Sequence, residues 1–104
     1  MKKRLKQMIK KHINIVKSMY PELYFAVIMI GDDILVDINS LEISNEEKYE
    51  DLMNDFLDEY ENKGYYYVYW GVNDNITCDN LSLLEDSVEA PVTEIVKEKK
   101  AANF

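Results

Sequence analysis

Residues 44–72 read SNEEKYEDLMNDFLDEYENKGYYYVYWGV, and this stretch decides the fold class. Its first part has the three-and-four spacing of a helix with one buried side, carried by an apolar stripe at Tyr49, Leu52, Met53, Phe56, Leu57 and Tyr60. Residues 65–72 are rich in aromatic and β-branched side chains, which favour a strand. Gly64 lies between the two, where a left-handed helix cap is expected. The stretch therefore predicts a helix that ends near residue 62 and leads into a strand.

The start of this helix is predicted from the sequence Ser44-Asn45-Glu46-Glu47. A serine followed three residues later by a glutamate is the pattern of a capping box, in which each side chain bonds the other residue's backbone N–H. We therefore expect Ser44 to cap the helix and Glu47 to reciprocate.

A first helix and a hairpin are predicted upstream. Residues 1–20 place apolar side chains at helical spacing, and Pro21 ends that helix. Residues 23–30 form a continuous apolar run, which predicts a strand buried on both faces. A turn at residues 31–33 then brings residues 34–38 back antiparallel, with Asp37 on the face opposite Val36 and Ile38.

Downstream, Asn73-Asp74-Asn75 predicts a turn into a short fourth strand at residues 76–78. From Leu81 we expect one or two short helices that end in a frayed tail over residues 97–104. The order α-β-β-α-β-(β)-α predicts a single acidic α+β domain over residues 1–104. Its core would be a small antiparallel sheet of three to four strands with helices packed on it.

Charge is segregated along the chain, whose 104 residues carry a net charge of −8. Residues 1–20 hold seven Lys or Arg and no acid, whereas residues 21–96 hold 19 acids and two lysines. This balance disfavours nucleic acid and anionic membranes as direct partners. Lysines interrupt any signal-like apolar run near the N-terminus, so we expect a cytoplasmic protein.

The acids of the second long helix fall on one broad arc away from its apolar stripe. We call this arc the acidic face, and its members are Glu46, Glu47, Glu50, Asp51, Asp55, Asp58, Glu59 and Glu61. Like charges four residues apart destabilise a helix slightly, which suggests a compensating partner. The alternatives are that the face only keeps the protein soluble, or that the protein's own basic first helix neutralises it.

The strand after the helix carries a second candidate surface. Residues 63–70 (KGYYYVYW) resemble the octapeptide of RNA-recognition motifs, which would imply stacking of RNA bases on the aromatic rings. The resemblance covers these residues alone and departs from the motif at Tyr66 and Trp70. We instead interpret the strand as half core and half exposed aromatic patch, in which Tyr66 and Trp70 are anchors for a protein partner.

Other chemistry has weak support in the sequence. Residues 73–85 lack the glycine and the twelfth-position acid of a calcium loop, and Asp32 and Asp33 are adjacent turn residues. His12 and Cys78 are each the only one of their kind, so we interpret both as structural. We find no phosphate-binding glycine loop and no zinc spacing. We therefore expect no enzyme activity, no cofactor and no metal.

These observations favour a non-enzymatic acidic interaction module. We expect an inhibitor that occupies a basic nucleic-acid-binding groove of a partner, in the manner of phage nucleic-acid mimics directed against CRISPR or restriction enzymes. The binding residues would be the acidic face together with Tyr66, Trp70, Asp74 and Asp79. The alternatives are an immunity or antitoxin-like protein that neutralises a basic toxin nuclease, a single-stranded nucleic-acid-binding module, and a structural homo-oligomer.

Overall fold

The computed structural model describes residues 1–85. The elements are α1 (Lys3–Met19), β1 (Phe25–Ile30), β2 (Asp33–Ile38), the short helix α2 (Leu41–Ser44), α3 (Glu47–Asn62), β3 (Val68–Val72) and a 3₁₀ turn (Ser82–Leu84). The order and the α+β class are those predicted. The predicted tail over residues 97–104 lies outside the described residues.

The sheet is mixed rather than purely antiparallel. Its strand order is β1-β2-β3, in which β1 and β2 pair antiparallel and β2 and β3 pair parallel. The prediction of an antiparallel sheet was wrong for β3, because α3 carries the chain back before β3 begins. A parallel pair needs such a crossover.

The predicted fourth strand at residues 76–78 is not formed. The chain instead reaches the outer edge of β1 at Asn80, which bridges to Ala26 in parallel. The backbone N–H of Val27 donates to the Asn80 carbonyl (3.0 Å), and the Asn80 N–H donates to the Phe25 carbonyl (2.8 Å). One residue therefore covers part of the β1 edge.

The core lies between one face of the sheet and the two long helices. Alternate sheet residues such as Phe25, Val36 and Val68 are buried. They join the apolar stripes of α1 and α3 in one cluster. The opposite face exposes Ile28 and Ile30, so the prediction that residues 23–30 are buried on both faces was wrong for the second half of β1. We call this opposite side of the sheet the outer face.

The helix boundaries differ from the capping-box prediction. The side chain of Ser40 caps α2 by accepting from the N–H of Ile43 at 3.1 Å. Ser44 ends α2, and its hydroxyl donates to the carbonyl of Leu41. The N-terminus of α3 has no side-chain cap. Residues 41–44 form the separate helix α2 instead, and its Ile43 is buried. Gly64 adopts the predicted left-handed conformation, with φ of 82°.

Within residues 1–85, no helix combines the length and the apolar character that crossing a membrane requires.

Candidate protein-binding surface

The acidic face lies along the solvent side of α3. Seven of its eight members are exposed, and Glu59 is half-buried. The stripe that α3 turns inward includes the buried residues Tyr49, Phe56 and Tyr60. The amphipathic spacing that forms the helix therefore also fixes the carboxylates on its outer side.

The basic helix α1 neutralises little of this face. The Lys11 ammonium pairs with Glu59 Oε1 at 3.0 Å, and the Tyr20 hydroxyl donates to Glu46 Oε1 at 3.0 Å. Among residues 1–85, no ion pair or side-chain hydrogen bond involves the carboxylate of any other member of the acidic face. Lys48, the cation within α3, has its ammonium 6.0 Å from the centre of the Tyr20 ring. The six remaining members are Glu47, Glu50, Asp51, Asp55, Asp58 and Glu61.

Glu59 differs from these six because it belongs to a contact between α1 and α3. The hydrogen bond from Lys11 lowers the pKa of Glu59, and the neighbouring His12 adds to the effect against the opposing effect of burial. Glu59 is therefore ionised at neutral pH, and Lys11 of the same domain neutralises part of its charge.

Three side chains linked by polar contacts lie beneath this contact: Trp70, Tyr60 and His12. We call them the buried polar chain. The Trp70 indole N–H approaches the Tyr60 hydroxyl oxygen at 3.4 Å, and that hydroxyl lies 2.8 Å from His12 Nδ1. His12 is fully buried and its ring stacks on Phe56, with centroids 3.9 Å apart. Since indole only donates, we assign the Tyr60 proton to the bond with Nδ1 and the imidazole proton to Nε2.

The position of Nε2 agrees with that assignment. It lies 3.3 Å from Glu59 Oε1, although it makes no well-aligned hydrogen bond. Burial lowers the pKa of His12, and Glu59 opposes that shift only in part. His12 is thus a neutral residue that joins α1 to α3, in agreement with its structural interpretation.

The aromatic residues of the β3 segment do not form one exposed patch. Tyr66 precedes β3 and is 71% exposed. Trp70 is half-buried and lies against Phe25 and Phe56 on the inner face. The exposed aromatic residue of the strand itself is Tyr69, which the predicted protein-binding residues did not include. The alternation of side chains along a strand was the available signal, because it places Tyr69 opposite Trp70.

Two of the rings that an RNA-stacking platform would use contact each other. Tyr65 and Tyr67 are half-buried and lie edge to face on each other, with centroids 6.3 Å apart. Neither ring is fully exposed, and RNA binding by this segment stays a prediction.

The two acids predicted to extend the surface beyond α3 have different environments. Asp74 is exposed in the turn after β3. Asp79 accepts from the backbone N–H of Phe25 (2.9 Å) through Oδ1 and from Lys17 (2.6 Å) through Oδ2. Asp79 therefore ties α1 and β1 to the segment after β3, and we assign it a structural role.

A groove of about 210 Å³ lies between α3 and β3. Its walls include Met53 and Leu57 from α3 and Tyr69 and Trp70 from β3. Leu57 and Tyr69 are both exposed. We call this the α3–β3 groove. A second, basic cleft of about 550 Å³ is lined by Arg4, Lys11 and Lys63, beside Tyr65.

One further carboxylate is buried on the outer face of the sheet. Asp37 of β2 is 7% exposed and lies between Ala26 of β1 and Gly71 of β3. A side chain at position 71 would place its Cβ 2.8 Å from Asp37 Oδ1, so glycine leaves the space that this carboxylate occupies. Burial raises the pKa of Asp37.

The part of the chain that the structure describes contains no group of three His, Cys, Asp or Glu side chains that could hold a metal. Cys78 is exposed and free. No family model, curated protein or solved structure matches the chain. The functional conclusion therefore depends on the surface itself.

Proposed function

We propose that this protein is a non-enzymatic interaction module whose acidic face occupies a basic nucleic-acid-binding groove of another protein. The observation that carries the proposal is that six carboxylates of α3 are exposed without an ion pair among residues 1–85. The partner class would be a cytoplasmic nucleic-acid-handling enzyme, such as a CRISPR effector or a restriction nuclease.

The arrangement of the carboxylates supports competition with nucleic acid. From Glu47 to Asp58, α3 advances about 16 Å at the helical rise. The carboxylates along this length repeat at distances comparable to those of phosphates along a strand of nucleic acid. A rigid helix also holds them in place before binding, which lowers the ordering cost of association.

The ion pairs that α1 makes within the domain support the same conclusion. If α1 existed to neutralise α3, its basic residues would pair with the members of the acidic face. Lys11 does so with Glu59, but Lys17 pairs with Asp79 instead. Most of the acidic face is thus left for an external cation, and like charges at four-residue spacing would be relieved when a basic partner binds.

Reversal of four carboxylates tests the proposal. The variant Glu47→Lys, Asp51→Lys, Asp55→Lys, Asp58→Lys should keep the fold, because all four side chains are exposed. The matched control reverses Glu22, Asp32, Asp33 and Glu42, which are exposed elsewhere, and has the same net charge. Both should be checked by circular dichroism.

The assay is a pull-down against purified CRISPR, restriction and toxin nucleases, followed by competition with labelled nucleic acid. Binding should be held at about 0.1 M salt and lost near 1 M, where the screening length falls from about 10 Å to 3 Å. The α3 reversal should abolish binding, and the control should retain it. Binding that survives the α3 reversal, or that ignores salt, would refute the proposal. Capture of a toxin nuclease would favour the immunity alternative over counter-defence.

A further inference from the structure

The backbone of β3 has an unpaired edge. The N–H of Ile34 donates to the Tyr67 carbonyl (2.8 Å), and the N–H of Asn73 donates to the Ile38 carbonyl (2.9 Å). Successive residues of a strand point their backbone N–H and C=O groups to alternate sides. The two bonds therefore show which residues of β3 point these groups toward β2. Tyr69 and Gly71 therefore face β2, and the remaining residues of β3 face away from the sheet. These are Val68, Trp70 and Val72.

The outward groups have no backbone partner among residues 1–85. No hydrogen bond in this part of the chain joins the backbone N–H or C=O of Val68, Trp70 or Val72 to another element. The opposite edge of the sheet differs, because Asn80 bonds to both Phe25 and Val27 there. An edge with unpaired donors and acceptors is a template for an added strand.

The surroundings of this edge indicate which side chains such a strand would carry. The α3–β3 groove lies on its inner side. On its outer side, Tyr69 continues a row of apolar residues across the sheet with Leu35 and Ile28. An added strand would therefore contact α3 with one set of alternate side chains and the row beside Tyr69 with the other set.

Two acids of α3 lie on the same side of the helix as Leu57, which lines the groove, and we call them its acidic rim. At 100° per residue, Glu50 and Glu61 lie only about 20° and 40° around the helix axis from Leu57, whereas Asp51 and Asp55 lie about 120° and 160° away. Glu50 and Glu61 are exposed and have no ion pair in the described chain. Lysine or arginine stems can lie along Leu57 while their charged ends reach these carboxylates.

We propose that β3 accepts an extended segment of the protein partner as an added strand, in which basic side chains face the α3–β3 groove and apolar side chains lie beside Tyr69. The inference rests on the proposed function for the basic character of the partner. A second copy fits the edge less well, because pairing two β3 strands would bring the acidic rims of two α3 helices together.

The test uses the full chain and a capped peptide in which lysine and valine alternate. Titration at about 0.1 M salt is followed by amide NMR and by the fluorescence of Trp70, the single tryptophan of the chain. The amides of Val68, Trp70 and Val72 should exchange quickly with solvent in the free protein and become protected with peptide. Those of Tyr69 and Gly71 should be protected throughout.

Two methylated peptides separate strand addition from charge attraction. One carries N-methyl groups on its lysine residues and the other on its valine residues, and both keep the same charge. In an added strand only one of these two sets of N–H groups faces β3. One peptide should therefore bind about tenfold or more weakly, and the other should bind normally. Binding by both or by neither would overturn the proposal.

Charge reversal tests the groove. Glu50→Lys with Glu61→Lys should weaken peptide binding about tenfold. The matched pair Glu22→Lys with Asp32→Lys changes residues that are exposed away from α3 and should weaken it far less. Equal loss for the two pairs would overturn the placement of the basic side chains.

Other occupants of the edge would also be detected. Protection of Val68, Trp70 and Val72 in the free protein would mean that the edge is already paired, and would overturn the proposal. If that amide protection depended on protein concentration, the occupant would be a second copy of the protein. If the protection were lost in a chain ending at residue 85, the occupant would be the protein's own C-terminal segment. Because this measurement needs no nuclease, its outcome is separate from that of the proposed function.

Discussion

Replacement of Tyr60 by phenylalanine should destabilise the fold by removing the centre of the buried polar chain. The Tyr60 hydroxyl lies 2.8 Å from His12 Nδ1 and receives the Trp70 N–H at 3.4 Å. His12 is fully buried, and its other nitrogen already lacks a well-aligned hydrogen bond. In Tyr60→Phe, Nδ1 would lose its hydrogen-bond partner while the His12 side chain stays fully buried. A buried polar atom without a partner costs about 1–3 kcal/mol.

The assay is urea unfolding followed by circular dichroism, since Trp70 fluorescence would respond to the substitution itself. A loss of about 2 kcal/mol corresponds to a melting temperature lower by about 8–16 °C in a domain of this size. The variant His12→Phe keeps a ring against Phe56 and completes a double-mutant cycle. Together, the two substitutions remove both partners, so the double variant should cost at least about 1 kcal/mol less than the sum of the singles.

Two results would refute this reasoning. A Tyr60→Phe loss below about 0.5 kcal/mol would mean that the hydroxyl contributes little, because such values are typical of surface positions. If the double variant lost as much unfolding free energy as the two single variants together, His12 and Tyr60 would not depend on each other.

Three further predictions follow from the same structure. Because burial lowers the pKa of His12 below its unfolded value of 6.5, its contribution to stability is complete above pH 6.5 and is lost as the pH falls through the folded pKa. The unfolding free energy of the wild type should thus fall more between pH 7 and pH 5 than that of His12→Phe, and parallel urea midpoints would contradict this. Because burial raises the pKa of Asp37, the ionised carboxylate opposes folding above its folded pKa. Asp37→Asn should therefore stabilise the protein at pH 7 and have little effect near its unfolded pKa of 3.8, as measured by thermal unfolding at both pH values. Finally, Ser40→Ala should cost about 1 kcal/mol through loss of the α2 cap, whereas Ser44→Ala should cost less than about 0.5 kcal/mol. Equal urea midpoints for these two variants would contradict the assignment of the cap.

The helices and the class of the fold were predictable because they depend on local periodicity. The apolar spacing of residues 1–20 places α1, and Pro21 fixes its end. Gly64 marks the end of α3 because few other residues tolerate its φ of 82°. These features need no knowledge of distant contacts.

The direction of β3 and the start of α3 depended on contacts that a local pattern does not contain. Alternation and β propensity are equally compatible with parallel and antiparallel pairing, so the residues of β3 gave no sign of its direction. The predicted helix before β3 was the available signal, because a helical crossover joins parallel strands. Ser40 and Ser44 both precede helical residues, and the burial of Ile43 decides that Ser40 is the cap of α2.

The acidic character of the candidate surface was predictable, but which acids remain available on it was not. Helical spacing was enough to place the carboxylates of α3 outside. It did not reveal that Glu59 pairs with Lys11, or that Asp79 connects α1 to β1. Both contacts join residues far apart in the sequence, and each removes an acid from the surface that a partner can use.

The mixed sheet has a consequence for the order of folding events. The β1–β2 hairpin closes through a short turn, so it can form within microseconds. The pairing of β2 with β3 must wait until the whole segment from Asn39 to Tyr67 is brought back, and the entropy of closing that loop has to be met first. During this interval the second edge of β2 is open to other chains. The exposed charge of the long acidic helix would then keep these half-formed molecules apart while the last strand arrives.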